Sequence, residues 1–380
     1  MTSLVQGLMQ RVNQLHPIKE LARVKSFVSE ELGQLGGMEQ IASSFFQRVQ
    51  GFSFNHIAQR FVSENSQPKV PTLKTKDVMS ILDTEGATEE IIDFAIYLKE
   101  AYKQGKDISY LKGKRLAMIF ERQALRTRVS FEMGMQMLGG HAVFLDKNDI
   151  GIGKRESPRD VGSVLSRYVD IIMHRSMKTE DLHELAFHST VPVINGLDVD
   201  EHPCQILADL MTIKEKKGTL KGLNFVFIGD CDDNVPHSYM LGCLLMGMNV
   251  TVVSPKDFAP SENFLKKAMS VATRNNVKLN VTDDMNAVRG ADVVATDTWV
   301  TIWYEHEREQ RIQKFQNYTV TPNVMKMAKD DAIFMHCMPI YYGNEVQKEV
   351  AYGKQSVIID EAENRMWAQM ALMVGLLKSQ

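Results

Sequence analysis

Short apolar runs that alternate with helical stretches are the feature that most limits what this chain can fold into. The runs are five residues long and are separated mostly by segments with helical patterning; they lie at 116–120, 224–228, 249–253, 292–296, 332–336 and 356–360. Such runs are typical of parallel strands whose sheet is covered by helices on both faces. At 380 residues the chain is also too long for one small core. The sequence therefore predicts an α/β fold with two doubly wound domains, each built on a parallel sheet and joined by bridging helices.

The first 62 residues have a different pattern, which predicts an N-terminal helical extension. Apolar residues recur there at the spacing of one helix face: Leu21, Val24, Val28 and Leu32. A polar stretch with two prolines follows at 63–71 and is typical of a linker. The segment at 202–213 has Pro203 in its first turn and predicts a helix that bridges the domains. The predicted division is an extension with its linker at 1–66, a first domain at 67–200 completed by a C-terminal helix at 362–380, and a second domain at 201–361.

The composition limits the partners and the compartment. Forty-four basic residues against 47 acidic ones give a formal net charge of −3, which argues against general nucleic-acid binding. No apolar run approaches the roughly 18 residues that a membrane-spanning helix needs. The four cysteines are scattered without a CxxC pair, and the N-terminus lacks the apolar core of a secretory signal. These features predict a cytoplasmic protein, with an organelle left open, that binds neither nucleic acid nor membrane and holds no structural zinc.

Charged and polar residues follow the predicted strands, on the side where open parallel sheets bind ligands. They are Arg126 to Arg128, Arg175, His202 with Gln205, the stretch 229–234, Asp297, Cys337 and Arg365. Taken singly, an arginine near a helix start is commonly an ion-paired surface residue, and a cysteine after a buried strand is commonly a small core residue. Taken together, four arginines with a histidine and a glutamine predict a dianionic or carbonyl-bearing ligand, because guanidinium groups and helix N-termini both bind phosphate oxygens.

The kind of phosphate ligand is narrowed by the motifs that the sequence lacks. The stretch "GDCDDN" at 229–234 is not a GxGxxG motif, and no GxxxxGK[ST] motif occurs. The pyrophosphate of NAD or ATP is therefore not expected. A small phosphate compound fits the arginines better.

Six separated motifs, in chain order, resemble the aspartate/ornithine carbamoyltransferase family, and its ornithine branch most closely. The family's donor-binding Ser-Thr-Arg-Thr-Arg is matched by "ALRTR" at 124–128. The other matches are "PVINGL" at 192–197, "HPCQILADL" at 202–210, "TDTW" at 296–299, "MHCMP" at 335–339 and "EAENRMWAQMALM" at 361–373. The resemblance runs from about Leu73 to the C-terminus.

The resemblance implies a transferase that moves the carbamoyl group of carbamoyl phosphate to the side-chain amine of ornithine. The implied donor-binding residues are Ala124, Leu125, Arg126, Thr127, Arg128, Arg175, His202, Gln205, Cys337, Met338 and Arg365. The implied amino-acid-binding residues are Asn195, Asp297, Thr301 and Ile302, and the implied catalytic residues are Arg126, Arg175, His202, Asp297 and Cys337. It also implies a carbamoyl-phosphate-binding first domain, an ornithine-binding second domain, small-molecule substrates only, no metal or organic cofactor, and a homotrimer.

The chain departs from the family pattern inside the implied site. Ala124 and Leu125 stand where the family has serine and threonine, and Gly151 stands where a neighbouring subunit brings a glutamine or histidine to the phosphate. Lys154 or Arg155 could supply compensating charge. Trp303 replaces a glycine in the loop that closes over the amino acid. Two alternatives therefore stay open beside ornithine transfer: a carbamoyltransferase for another amine, and a catalytically silent homologue that binds ligands or partners.

Overall fold

The computed structural model of the protein describes residues 68–301 and 303–379. The predicted N-terminal helical extension and Ile302 lie outside the described residues. No helix in the described part of the chain is long and apolar enough to cross a membrane.

The first sheet is parallel and contains β1 Arg115–Phe120, β2 His141–Asp146, β3 Ile171–Arg175 and β4 Val193–Leu197. Its strand order is β2-β1-β3-β4. Helices in the same part of the chain are α1 Thr88–Lys103, α2 Leu125–Met137, α3 Lys147–Ile150, α4 Pro158–Leu165 and α5 Thr179–His188. A further helix, α6 Pro203–Lys217, leads from the first sheet to the second.

The second sheet is also parallel and contains β5 Asn224–Ile228, β6 Asn249–Val253, β7 Leu279–Thr282, β8 Val293–Thr296 and β9 Ile333–Met335. Its strand order is β7-β6-β5-β8-β9. The remaining α-helices are α7 Asn234–Leu245, α8 Glu262–Asn275, α9 Arg308–Phe315, α10 Pro322–Met325, α11 Lys348–Ala351 and α12 Ile358–Lys378. Short 3-10 helices lie at Ile81–Thr84, Lys256–Phe258, Met285–Val288 and Glu305–Glu307. The predicted fold class, two parallel doubly wound sheets, is confirmed.

Two long helices, α6 and α12, pack against each other and tie the two sheets together. Helix α12 also packs against α1 and α2 of the first part, although it follows the second sheet in sequence. A buried polar contact fastens three of these helices, because Nζ of Lys99 donates to Asn364 at 2.7 Å and pairs with Glu215 at 3.2 Å. The bridging helix predicted at 202–213 is therefore confirmed, with Pro203 as its first residue.

Each sheet has one point at which the chain reverses its direction of winding, and these points place the site. In the first sheet the reversal lies between β1 and β3, and in the second it lies between β5 and β8. Ligands of doubly wound proteins bind beyond the carboxyl ends of the strands at such points. Arg126 follows β1 and Arg175 ends β3, whereas the 229–234 stretch follows β5 and Asp297 follows β8. The topology therefore predicts that a ligand binds near these four positions.

The apolar run at 356–360 is not a strand, so that prediction is wrong. Ser356 forms a single bridge with Phe334, and α12 already begins at Ile358. Asp360 and Glu361 in its first turn suit the positive end of the helix dipole. A short apolar run fits a buried helix turn as well as a strand, and only the neighbouring elements decide between them. By contrast, the runs at 224–228 and 249–253 are strands with the predicted bounds.

Candidate active site

The first turn of α2 presents backbone N–H groups without a side-chain cap. Ala124 is the N-cap residue, has an extended backbone and carries no oxygen that could accept from the helix. Leu125 begins the helix with its side chain 75% exposed, so its contribution at this point is its backbone. Uncapped N–H groups and the positive end of the helix dipole together suit an anion. The loss of the family's serine therefore leaves the backbone part of an anion site in place.

Three guanidinium groups converge beside this helix start. Nη1 of Arg175 and Nη2 of Arg365 both donate to Oγ1 of Thr127, at 3.4 and 3.2 Å. Nη2 of Arg126 donates to the carbonyl oxygen of Met338. Within residues 68–301 and 303–379, none of the three arginines forms an ion pair with a carboxylate, and all their hydrogen-bond acceptors are neutral. Three unneutralised positive charges in one place require an anion to balance them.

The crowding of positive charge lowers the pKa values of the groups around it. Burial, together with the charges of Arg365 and Arg126, lowers the pKa of Arg175 to about 10. Burial and the same cluster hold the pKa of His202 well below its usual value. His202 is therefore a neutral imidazole, and its Nδ1 has no partner among the described residues. A neutral imidazole can donate one hydrogen bond to a carbonyl oxygen without adding a further charge.

On the side of the second sheet, Cys337 and Asp297 form a pair. Sγ of Cys337 donates to Oδ1 of Asp297 at 3.3 Å, and the backbone N–H of Thr298 donates to the same oxygen at 2.7 Å. Burial and the nearby charge of Asp297 raise the pKa of the Cys337 thiol well above its usual value. Cys337 is therefore a protonated hydrogen-bond donor rather than a thiolate nucleophile.

The backbone around Cys337 is held by His336. Nδ1 of His336 accepts from the backbone N–H of Met338 at 2.9 Å, so its proton lies on Nε2, which faces Glu345 at 3.2 Å. Asp297, His336 and Cys337 could together ligate a metal ion, since their ligand atoms lie within 4.8 Å of one another. Both ring nitrogens of His336 are already bonded, however, and the thiol is protonated. A metal would have to displace these bonds, so the three residues do not fit a metal site.

Two of the residues that the resemblance implied are directed elsewhere. Asn195 is fully buried on β4, where Nδ2 donates to Met79 at 2.9 Å and Oδ1 accepts from Leu197 at 2.9 Å. Its amide therefore holds the strand rather than facing Asp297. Arg128 pairs with Glu132 at 3.6 Å and lies 3.8 Å from the ring centre of Phe144, so a phosphate-binding role for it rests on the resemblance alone. Ile302 lies outside the described residues, and Thr301 has a hydroxyl without a partner among the described residues.

Gly151 has a conformational reason to be glycine. It ends α3 with a φ of 69°, in the left-handed region that side chains disfavour. A Cβ atom there would lie 2.8 Å from Cβ of Arg155. A glutamine or histidine, as the family carries, would therefore be strained at this position. Arg155 is exposed and pairs with Glu156 at 3.6 Å, so its charge is partly compensated.

The sequence reasoning missed Asp233 as a site residue. It precedes α7, and its Oδ2 is buried without a partner among the described residues. Burial and the negative charges of Asp230 and Asp297 raise the pKa of Asp233 to about 7. The position of "GDCDDN" could have indicated Asp233 as a site residue, because this stretch follows β5 at the reversal point of the second sheet. Asp233 therefore lies near the Asp297–Cys337 pair, with the hydroxyl of Thr301 beside its carboxyl group.

Comparison with known proteins identifies the family. The carbamoyl-phosphate-binding domain model of the aspartate/ornithine carbamoyltransferases matches residues 76–215, and the Asp/Orn-binding domain model matches residues 221–376. The chain belongs to the aspartate/ornithine carbamoyltransferase family. Both sheets of the protein fall inside the matched residues. The family resemblance inferred from six short motifs is thereby confirmed.

Several members of the family are similar over nearly their whole length. An ornithine carbamoyltransferase of Oceanobacillus iheyensis is 47% identical over 307 residues, covering 80% of this chain and 95% of that protein. The solved ornithine carbamoyltransferase of Pyrococcus furiosus has a TM-score of 0.77 at 41% identity, covering 80% of this chain and 98% of that one. The anabolic ornithine carbamoyltransferase of Campylobacter jejuni has a TM-score of 0.74 at 35% identity, covering 80% of this chain and 100% of that one.

Proposed function

We propose that the protein transfers the carbamoyl group of carbamoyl phosphate to the side-chain amine of ornithine, giving citrulline and phosphate. The observation that carries the proposal is the cluster of Arg126, Arg175 and Arg365, which has no carboxylate partner among the described residues. It lies at the start of α2 and is joined to the Cys337 loop through Met338. An anion-binding region and a carboxylate that can hold an amine are thus adjacent. The relatives named ornithine carbamoyltransferase support the same reaction.

The donor phosphate would bind to Arg126 and to the first-turn N–H groups of α2. Arg175 and neutral His202 would donate to the carbamoyl carbonyl oxygen and stabilise the negative charge that develops there. Arg365 would hold Thr127 and Gln205 in place and add positive charge on the phosphate side. Phosphate is a good leaving group, so orientation and electrostatic stabilisation are sufficient for the transfer.

The acceptor amine must be neutral before it attacks, whereas a free alkyl ammonium has a pKa near 10. The nearby guanidinium cluster disfavours the ammonium form by repulsion. Asp297 would hold the acceptor, and the Cys337 thiol would keep Asp297 in place through its 3.3 Å hydrogen bond. In the transfer, the amine nitrogen bonds to the carbamoyl carbon, the bond from that carbon to the phosphate oxygen breaks, and the departing phosphate takes the amine proton.

A colorimetric citrulline assay with carbamoyl phosphate and ornithine tests the proposal. We expect citrulline and phosphate in equal amounts, each dependent on both substrates. Phosphate release with another amine but no citrulline would instead support a different acceptor. If no amine in a panel causes phosphate release, the result would support a catalytically silent homologue.

A different acceptor is the second candidate, and the acceptor loop motivates it. Trp303 replaces the family's glycine, and the ring of the next residue, Tyr304, lies 3.7 Å from the guanidinium carbon of Arg311. Arg311 also donates to the backbone carbonyl of Trp299 at 3.3 Å and pairs with Asp230. The loop is therefore held by aromatic and charged contacts, and its shape would set which amine fits.

We propose that each of the two substrates is bound by the part of the chain that contains one of the two sheets. Residues 67–200, completed by 362–380, would bind carbamoyl phosphate, and residues 201–361 would bind the amino acid. The family models divide the chain similarly but assign α6 to the first part and most of α12 to the second. All four cysteines are free thiols, which fits a reducing compartment such as the cytoplasm.

The proposed homotrimer has a candidate contact surface on α2. Leu125, Val129 and Met133 are exposed apolar residues spaced four apart, so they form one stripe along the helix. The stripe begins at the proposed phosphate site, which would place a neighbouring subunit beside it.

The double substitution Val129→Glu and Met133→Glu is expected to convert a trimer to monomers, because it buries two carboxylates in an apolar contact. Light scattering coupled to gel filtration measures the mass. Ile359→Glu is the matched control, since Ile359 is 65% exposed on a different helix and should leave the mass unchanged. A trimeric mass for the double variant would assign the contact to another surface.

A further inference from the structure

Two buried carboxyl groups, those of Asp209 and Glu361, lie directly behind Gln205. Nε2 of Gln205 donates to Oδ1 of Asp209 at 2.8 Å and to Oε1 of Glu361 at 3.2 Å. All three side chains are buried. Neither carboxyl group pairs with a lysine or arginine in the described part of the chain. This pair therefore has no cation of its own, and the residue in front of it is Gln205.

The pair holds one proton between its two members. Two carboxylates in contact in a buried site cannot both be ionised near neutral pH. Burial raises the pKa of Asp209 to about 7, and burial with the charge of Asp209 raises the pKa of Glu361 well above its usual value. The proton therefore resides on Glu361, and Asp209 accepts it. Oε2 of Glu361 also accepts from the backbone N–H of His336 at 2.9 Å, which ties the pair to the Cys337 loop.

The position of the pair decides which way the Gln205 amide points. The ionised Asp209 oxygen and an oxygen of protonated Glu361 both accept hydrogen bonds, so the NH2 end of the amide must face them. The carbonyl end then faces the guanidinium cluster, where Nη1 of Arg365 donates to Oε1 of Gln205 at 2.6 Å. A carbonyl oxygen has two lone pairs, so Oε1 can accept one more hydrogen bond from a ligand in the cluster.

We propose that Asp209 and Glu361 are positioning residues that select the phosphorylated donor by its amide group. They hold the carbonyl oxygen of Gln205 toward the donor site, where it accepts from the NH2 of carbamoyl phosphate. Acetyl phosphate has the same phosphate and carbonyl groups but a methyl group at that position, so it would leave Oε1 without its second donor. A site built to hydrogen-bond a ligand group rejects an analogue that lacks it. This inference rests on the proposed function.

The wild-type protein gives the first test. The KM for carbamoyl phosphate is measured in the citrulline assay, and acetyl phosphate is added as a competitive inhibitor. We expect the inhibition constant of acetyl phosphate to exceed the KM for carbamoyl phosphate by about tenfold or more. Equal values would overturn the inference while leaving the proposed function intact. Failure of the function would instead appear as no citrulline at all.

Substitutions at Asp209 give the second test. Asp209→Asn keeps an oxygen that accepts from Gln205, and its NH2 can donate to an ionised Glu361 in place of the shared proton. Asp209→Leu has similar volume but neither group. The donor preference is the ratio of the acetyl phosphate inhibition constant to the carbamoyl phosphate KM. We expect Asp209→Asn to keep this ratio within about twofold of wild type. We expect Asp209→Leu to lower it about tenfold, because the carbamoyl phosphate KM rises more than the acetyl phosphate inhibition constant. A parallel rise of both constants in Asp209→Leu, or loss of preference in Asp209→Asn, would overturn the inference.

Substitution at Glu361 carries the test if Asp209→Leu does not fold. Glu361→Met removes the oxygen that accepts from Nε2 of Gln205, and the same loss of donor preference as in Asp209→Leu is expected. Thr212→Val is the folding control, because Thr212 is buried on the same helix and bonds to Ala208 and Asn364 rather than to Gln205. Thr212→Val should lower the stability of the protein without changing the donor preference. A changed donor preference in Thr212→Val would show that any packing defect in α6 alters it, and this would overturn the inference.

Discussion

Arg126→Ala is expected to lower kcat/KM for carbamoyl phosphate by about a thousandfold. Arg126 is part of the unneutralised guanidinium cluster at the start of α2, and the family's phosphate-binding motif includes this position. In the structure its guanidinium donates only to the carbonyl of Met338, so it has no other partner to hold it among the described residues. The citrulline assay at varied carbamoyl phosphate measures the loss.

The same substitution should leave the fold intact. It removes one positive charge from beside Arg175 and Arg365, and with it the repulsion between Arg126 and these two residues. We therefore expect the free energy of unfolding to change by less than about 1 kcal/mol. Arg115→Ala is the control, because Arg115 lies at the opposite end of β1, is half-exposed, and pairs with Asp170 at 3.0 Å. An Arg126→Ala protein with unchanged kcat/KM would remove Arg126 from the site.

Asp233→Asn is expected to stabilise the protein at pH 8 by about 2–4 kcal/mol. The pKa of Asp233 is raised to about 7 from the usual 3.8, mainly by burial and by the charge of Asp230. The folded state therefore binds this proton more tightly than the unfolded state. Its contribution to stability is fully present below pH 4 and is lost as the pH rises through about 7. Asparagine carries no charge at any of these pH values, so it avoids the loss.

Thermal unfolding of both proteins without ligands, from pH 4.5 to pH 8, measures the difference. We expect the midpoints to be close at pH 4.5 and to separate as the pH rises. Asp292→Asn is a contrasting control: Asp292 is as buried as Asp233 but pairs with Lys329 at 2.7 Å, so its substitution should destabilise the protein. A pH-independent difference for Asp233→Asn would show that the carboxyl group does not titrate in this range.

Local sequence predicted the strands well where a run was both apolar and flanked by turn residues. The runs at 224–228 and 249–253 have their predicted bounds, whereas the run at 356–360 became the start of a helix. The difference lies in the environment, because residues 224–228 find a parallel neighbour on each side and Ser356 finds only one bridge to Phe334. Pairing partners of that kind are far away in sequence, so a local window does not contain them.

The two arginines of the "RTR" motif are a second case in which the sequence grouped residues that the structure separates. Arg126 and Arg128 are two positions apart on a helix, so they point about 200° away from each other. Arg126 lies in the guanidinium cluster, whereas Arg128 lies against Phe144 and Glu132. Helix geometry alone could have separated them. Asn195 is different, because only the tertiary structure shows that its amide is already bonded to Met79 and Leu197.

The sequence by itself determined the class of fold and the family, because periodicity, strand-end residues and ordered motifs are local properties of the chain. The tertiary structure decided which side chains share a space. Thr127, Arg175 and Arg365 meet although they are separated by up to 238 positions, and Gln205 bonds to Arg365, which lies 160 positions away. Charge balance, hydrogen-bond saturation and pKa depend on such meetings, since electrostatic forces act through space and not along the chain.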